Sequence, residues 1–410
     1  MPETILRYED ALATVLAHAA SVQPRGDEAV PLLDAAGRTL AEPVHADRDQ
    51  PPFDRSTRDG FAVRAADCQP DTRLRRIGLV RAGEFWQGAP LAAGEALEIM
   101  TGAPLPAGAD AVLMVEHAVV EADRLTPDRT LRAGENVVPR GAEARSGLTV
   151  LPRGHRIDAA AIAVAASCGA ATLRVFARPS VAILPTGDEL VEVAETPAAH
   201  QIRNSNSYAL AAMVAAEGTT PHRLAVARDT LEDLRARIHE GLQHDLLVLT
   251  GGVSMGKYDF VEQALSELGA ELLFTGARIQ PGKPVVFGRI PRLDAPGTYT
   301  YLFGLPGNPI STQVCFHLFV APLLRALAGR TELAPRFVEA RLREHVRGGA
   351  SVTRFLPAEL TSDWQHASVR LTGWQGSGDL AANARGNSYC VLPAEVEHFA
   401  AGDTVRVLLR

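Results

Sequence analysis

Leu246–Phe260 reads LLVLTGGVSMGKYDF: an apolar run, a double glycine, and a pattern able to open a helix. That is a buried strand, a tight turn and a helix start. In an open α/β sheet, ligands bind outside the carboxyl ends of the strands. A helix N-terminus there offers unpaired N–H groups and the positive end of a dipole, which suit a phosphate or another oxyanion. Two unrelated motifs overlap in this stretch. Gly251–Lys257 (GGVSMGK) has P-loop spacing, but Tyr258 stands where a Ser or Thr hydroxyl would hold Mg²⁺. Gly252–Gly256 (GVSMG) has the spacing of a nucleophile elbow centred on Ser254. A serine hydrolase would also need a later acid and histidine, such as Asp294 or Asp363 with His366 or His398.

The surroundings of this stretch alternate in character. VAIL, RLAVA, ELLF, PVVFG and TYTYLFG read as strands, and residues 207–217, 231–242, 260–268 and 309–327 as helices. Such alternation argues for a parallel sheet with helices on both faces over residues 178–330. Further out, residues 7–21 have helical apolar spacing and residues 157–168 form an alanine-rich helix closed by Gly169. Residues 60–128 and 331–410 show short apolar runs between turn residues, which read as a small β-rich unit and a C-terminal β-barrel or sandwich.

Composition narrows the function classes. The chain has 410 residues, 46% hydrophobic and 22% charged, an ordinary globular balance. A net charge of −7 argues against a dominant nucleic-acid surface, so an anionic ligand would need local positive groups. Cys68, Cys168, Cys315 and Cys390 lie far apart, which suggests buried free thiols rather than a zinc or redox pair. No basic, apolar leader opens the sequence, and no uncharged apolar run reaches the ~18 residues of a membrane span. A cytoplasmic protein without a membrane partner is expected.

Polar signals gather at the strand ends of residues 178–330. Asp188 and Glu189 follow VAIL in PTGDEL, Asp229 follows RLAVAR, and Asp259 lies just past the glycine turn. Singly, each reads as a helix-cap or first-turn acid. Parallel strands share one carboxyl edge, however, so the acids could converge there and suit Mg²⁺. Two proline–glycine turns supply the complement. PGKP mounts Lys283 between Pro281 and Pro284, and LPGNPIST sets Asn308 as an N-cap, Pro309 at the first helical position and Ser311 in the first turn. The histidines show no paired metal-ligand spacing.

STRDGFAV (56–63), IMTGAPLPAGADAVLMVE (99–116), PTGDEL (185–190), TGGVSMGKYDF (250–260), QPGKPVVFG (280–288) and GLPGNPIST (304–312) occur in this order. Together they closely resemble the molybdopterin molybdenumtransferases, the MoeA and gephyrin E-domain family, over essentially the whole chain. The resemblance implies a multidomain α/β plus β architecture. A helical/β dimerisation domain would comprise residues 1–46 and 135–177, with a β-rich domain inserted at 47–134. A MogA-like, doubly wound α/β domain that binds molybdopterin would span 178–330, and a small β-barrel 331–410. It also implies an enzyme that inserts molybdate into adenylyl-molybdopterin with Mg²⁺ and releases AMP. A molybdopterin-binding scaffold without turnover is the alternative of a different class.

Carried over motif by motif, Asp59 and Thr101 would reach across from the second chain of a homodimer. Glu189, Asp229 and Asp259 would hold Mg²⁺ or order the pyrophosphate. Gly251, Gly252 and Ser254 would line the pterin site. Lys283 and Ser311 would bind molybdate beside Pro306, Asn308 and Pro309, and Arg354 and Ser377 would be oxyanion contacts from the fourth domain. Two departures stand out: Gln280 replaces a lysine found in some members, and Glu143 is the nearest acid where some carry aspartate. Molybdopterin adenylyltransferase and molybdoenzyme maturation factors are the protein partners that the family suggests.

Overall fold

A computed structural model describes residues 4–252, 260–292, 297–349 and 351–410. Ser254, Lys257, Asp259 and Asp294 lie outside the described residues. At the centre is a six-stranded sheet in the order Thr220–Arg223, Ser180–Pro185, Leu246–Thr250, Tyr299–Leu305, Val286–Pro291, Glu271–Phe274. All five residues of Leu246–Thr250 are buried. Alternation within this apolar run serves two cores. Leu246 and Val248 face a cluster with Leu210, Val214, Ile310 and Phe316, and Leu247 and Leu249 face one with Leu234, Ile238, Ala264 and Leu265. A strand covered on both faces needs a continuous apolar sequence. Each fully buried Leu or Val contributes about 1.5–3 kcal/mol.

The sheet departs from the expected parallel arrangement at one edge. The first four strands are parallel, whereas Val286–Pro291 runs antiparallel to them and Glu271–Phe274, antiparallel to Val286–Pro291, returns to the common direction. Side-chain periodicity carries no information about strand direction, so the apolar runs could not show this. The strand expected at RLAVA is also displaced, and the regular ladder covers Thr220–Arg223. Leu224 and Ala227 remain buried and still donate to Ile183 O and Pro185 O, so the apolar signal marked packing beyond the strand's end.

The helix Tyr8–Ser21 and the strand Ile5–Leu6 pack on this sheet. Ala11, Val15 and Ala19 enter the same core as Phe287 and Phe303, and Ile5–Leu6 pairs with Gly276–Ala277. An apolar helical stripe identifies a buried face but not the surface that covers it. Residues 309–327 run as one helix with a π-helical turn at Phe316–Val320. It is long and apolar enough to cross a membrane, yet 83% of its apolar window is buried inside the fold.

Three further bodies flank this unit. Asp27–Pro31 pairs with Thr172–Phe176 and Val44–His45 with Thr149–Leu151, around a core shared with the helix Ala159–Ser167. Asp158 caps that helix through Ala161 N, and Gly169 follows it at φ 75°. A six-stranded sheet built from residues 60–127 encloses two small cores. Thr353–Ser362, Ala367–Leu371, Phe337–Leu342, Thr404–Leu409 and Ser388–Leu392 close into a barrel by the return pairing of its last and first strands. Ile279–Gln280 pairs with Thr353–Arg354, and this hydrogen-bonded joint brings the barrel against the PGKP loop.

Candidate functional site

The site grows from the end of Leu246–Thr250. Gly251 and Gly252 have φ values of +91° and +62°, a backbone region that favours glycine. A Cβ on Gly251 would overlap Thr186 O, and one on Gly252 would lie 2.7 Å from Thr186 Oγ1. The double glycine therefore lets the turn fold tightly over the neighbouring strand end. Gly251 N donates to Leu305 O at 3.2 Å. Asn206, at the start of helix Asn206–Ala216, donates through Nδ2 to Gly307 O at 2.7 Å and Thr250 Oγ1 at 3.2 Å. These bonds fasten the glycine turn to the LPGNP loop.

On one side of the turn lies a carboxylate edge. Thr186 bridges to Ala227, which brings the chain after Ser180–Pro185 beside Asp229. Asp229 N donates to Asp188 Oδ1 at 3.2 Å. The Asp229 carboxyl is raised above its ordinary range, first by partial loss of water and then by the charges of Asp188 and Glu189. Glu189 thus lies near enough for its charge to act on Asp229. Among the described residues no group of three His, Cys, Asp or Glu side chains has a metal-holding arrangement. The third expected ligand, Asp259, lies outside them.

On the other side is a cleft of about 610 Å³, lined by Lys283, Pro306, Asn308, Ser311, Arg354 and Ser377 among others. Three separate segments meet in it: the PGKP loop, the LPGNP loop with its helix, and the barrel. Ile310 N donates to Ser377 O at 2.9 Å, which ties the first turn of the helix to the barrel loop. Ser311 is 3% exposed at the cleft wall, whereas Lys283 is exposed. Arg354 is braced by Nη1 donating to Arg347 O at 2.8 Å. Beneath the PGKP loop, Cys315 Sγ donates to Gly282 O at 3.5 Å, and burial pushes this thiol far above its usual range. Pro309 occupies the first helical turn, but the Asn308 side chain makes no capping bond and instead lines the cleft.

Trp374, Gln375 and Gly376 also line the cleft and were not singled out from the sequence. Their only local signal is the glycine-rich stretch WQGSG, which reads as a turn. Gln280 lines it too, so the position that carries lysine in some relatives does face the same space. The donors gathered here (an ammonium, a guanidinium and two hydroxyls) match an oxyanion.

Asp59 and Thr101 are brought to each other but line no part of this cleft. Asp59 Oδ1 accepts from Thr101 N at 2.6 Å and Thr101 Oγ1 at 2.7 Å. These two bonds, the backbone one first, hold the exposed Asp59 carboxyl below its usual range. Glu143 is taken up by an exposed ion pair with Arg55 at 2.9 Å. Asp363 and His366, considered for a serine hydrolase, sit 3.5 Å apart in an exposed turn of the barrel, and neither they nor His398 line the cleft.

Comparison with known proteins covers nearly the whole chain. Residues 6–169 match the model of the MoeA N-terminal region (domain I and II). Residues 182–326 match a probable molybdopterin binding domain, and residues 339–409 the MoeA C-terminal region (domain IV). A Staphylococcus aureus protein named molybdopterin molybdenumtransferase is 34% identical over 385 residues, which cover 93% of this chain and 90% of its own length. Two crystal structures of molybdopterin biosynthesis MoeA proteins from Pyrococcus horikoshii superpose on 99% of the chain. One has a TM-score of 0.74 at 32% identity and covers 99% of that structure. The other has a TM-score of 0.81 at 26% identity and covers all of it.

Proposed function

This chain belongs to the molybdopterin molybdenumtransferase (MoeA) family, enzymes of molybdenum cofactor biosynthesis, and from that membership we propose a specific reaction. Molybdate is inserted into adenylyl-molybdopterin with Mg²⁺, and AMP is released. The observation that carries this reading is the separation of two charge environments at one strand edge. Carboxylates crowd beside the glycine turn, and oxyanion donors line the adjoining cleft.

Molybdate carries two negative charges and would be repelled by Glu189 and Asp229. Lys283 supplies the opposite charge, Ser311 and Ser377 supply hydroxyl donors, and Arg354 supplies a planar fork. The tight Gly251–Gly252 turn leaves backbone room for the phosphate side of the pterin. Glu189 and Asp229, with Asp259, would hold Mg²⁺. The residues present fit it, since partial burial and then the neighbouring Asp188 and Glu189 charges raise the Asp229 carboxyl, and no ion pair to it occurs among the described residues. Bound there, Mg²⁺ supplies charge neutralisation at the phosphoryl oxygens and eases departure of AMP. The two dithiolene thiols of the pterin bind molybdenum as one molybdate oxygen leaves with their protons as water, and a water molecule cleaves the pyrophosphate bond as AMP departs, so no protein nucleophile is required.

Asp59 and Thr101 act on this site from the second chain of a homodimer. Their mutual hydrogen bonds leave Asp59 ionised and fixed, yet within one chain they face none of the cleft. Mixing Asp59→Ala and Lys283→Ala chains tests this arrangement. At limiting molybdate each homodimer has little activity, and random mixing restores about a quarter of wild-type activity, because half the dimers hold one complete site. No recovery on mixing would place Asp59 in its own chain's chemistry or outside it.

The decisive experiment is AMP release from adenylyl-molybdopterin on addition of molybdate and Mg²⁺. Release that depends on both is expected. Pterin binding without AMP release would instead identify a scaffold.

A further inference from the structure

A second cleft, about 850 Å³, lies where three bodies of the fold meet. Its walls come from the loop before the helix Ala159–Ser167, the end of the helix Asn206–Ala216, the segment after the helix Ala321–Leu327, and the last barrel strand. It shares no lining residue with the cleft that holds Lys283 and Ser311.

Arginine dominates its chemistry. Arg156, Arg325, Arg330, Arg336 and Arg410 line it, against the side-chain carboxylates of Asp158, Glu217 and Glu332. Two of these acids are already occupied. Asp158 accepts from Ala161 N as a helix cap. Glu217 is held by Arg325 at 2.7 Å and by Arg330 at 2.8 Å, all three being largely buried. Among the described residues Arg410 donates to uncharged groups of Asn383 and Gly386 and lies 4.4 Å over the Tyr389 ring, and no ion pair to it occurs there. No ion pair to Arg156 or Arg336 occurs among the described residues. Five arginines thus face three carboxylates, and positive charge is in excess.

Two buried groups register that excess. The Arg330 side chain is 9% exposed, and its Nε is a buried donor without a hydrogen-bond partner. Leaving such a donor unpaired is unfavourable, and an anion's oxygen would satisfy it. His317, also on the cleft wall, is held neutral, down at about 4, by burial and by the charges of Arg410 and Arg325.

We propose that this junction is a second anion site, one that binds the phosphate group of a phosphorylated small molecule. Guanidinium forks match phosphate oxygens in pairs. The volume leaves space for more than the phosphate itself. A ligand there would touch all three bodies at once and favour one relative arrangement of them.

Calorimetric titration of the full-length protein with inorganic pyrophosphate tests the site. Wild-type protein binds, and Lys283→Ala retains that binding event because the two clefts are separate. The exposed substitutions Arg156→Gln and Arg336→Gln each weaken it about tenfold, while thermal unfolding shows the fold intact. The proposal fails if pyrophosphate does not bind, or if the arginine substitutions leave binding unchanged. It also fails if Lys283→Ala removes the only event. A polyglutamate peptide is the competitor, and tighter binding of the peptide than of pyrophosphate overturns the assignment to a phosphate group. None of these outcomes depends on AMP release, so they stand apart from the insertion reaction.

Discussion

The carboxylate edge and the oxyanion cleft are neighbours built from loops at one end of one sheet, yet their electrostatics are opposite. At the carboxylate edge the Asp229 carboxyl is raised, first by partial loss of water and then by the charges of Asp188 and Glu189. Lys283, Ser311, Arg354 and Ser377 gather donors around an open volume. Each arrangement concentrates one sign of charge, which a ligand of opposite charge would stabilise. The seam between them, Asn206 bonded to both Thr250 and Gly307, sets their separation.

The largest expected effect breaks the cleft alone. Lys283→Ala removes the lysine charge and should raise the molybdate requirement about 100-fold, the effect of ~3 kcal/mol for a hydrogen bond to a charged group. Pterin binding should be unchanged; a molybdate titration of AMP release checks both. Loosening the seam comes next. Asn206→Ala should slow turnover about five- to tenfold, from a net hydrogen-bond contribution of ~1–1.5 kcal/mol, with little change in molybdate affinity. If affinity falls and turnover does not, Asn206 serves the cleft rather than its alignment with the carboxylates.

The carboxylate edge is tested by Asp229→Asn. The Asp229 carboxyl titrates above its ordinary value in the folded chain, so its contribution favours folding when protonated. That contribution is lost as pH rises through the raised value, and the ionised group is then a net cost. Without divalent cation, the substitution should raise Tm modestly at neutral pH and leave it unchanged in acid. With Mg²⁺, wild-type Tm should rise and the variant's should not. An equal response of both to Mg²⁺ would remove Asp229 from the metal site. The smallest effect belongs to Glu143→Gln, which loses an exposed ion pair with Arg55. Stability should change by less than about 1 kcal/mol and AMP release not at all; a rate loss would make that loop part of the site.

Much of this was legible in the chain because the signals are local. A continuous apolar run announces a strand covered on both faces, and Leu246–Thr250 is fully buried. Glycine pairs announce turns that only glycine can make, as Gly251 and Gly252 do against Thr186. The order of PTGDEL, PGKP and LPGNP, each after an apolar run, assigns lysine, serine and carboxylates to strand ends from local sequence. Trp374 and Gln375 were not legible, since nothing in WQGSG says which surface the barrel loop will meet. That depends on Ile279–Gln280 pairing with Thr353–Arg354, a contact between residues far apart in sequence.

The sequence by itself thus determined the elements, the turns and the chemical character of each loop, because these follow from backbone sterics and the spacing of apolar residues. Tertiary structure alone decided the antiparallel edge of the central sheet, the docking of helix Tyr8–Ser21 on that sheet, and the meeting of Arg354 and Ser377 with Lys283. It alone assembled the second arginine-lined cleft. Each is a choice among distant surfaces of similar composition, settled by shape and charge complementarity that no local pattern encodes.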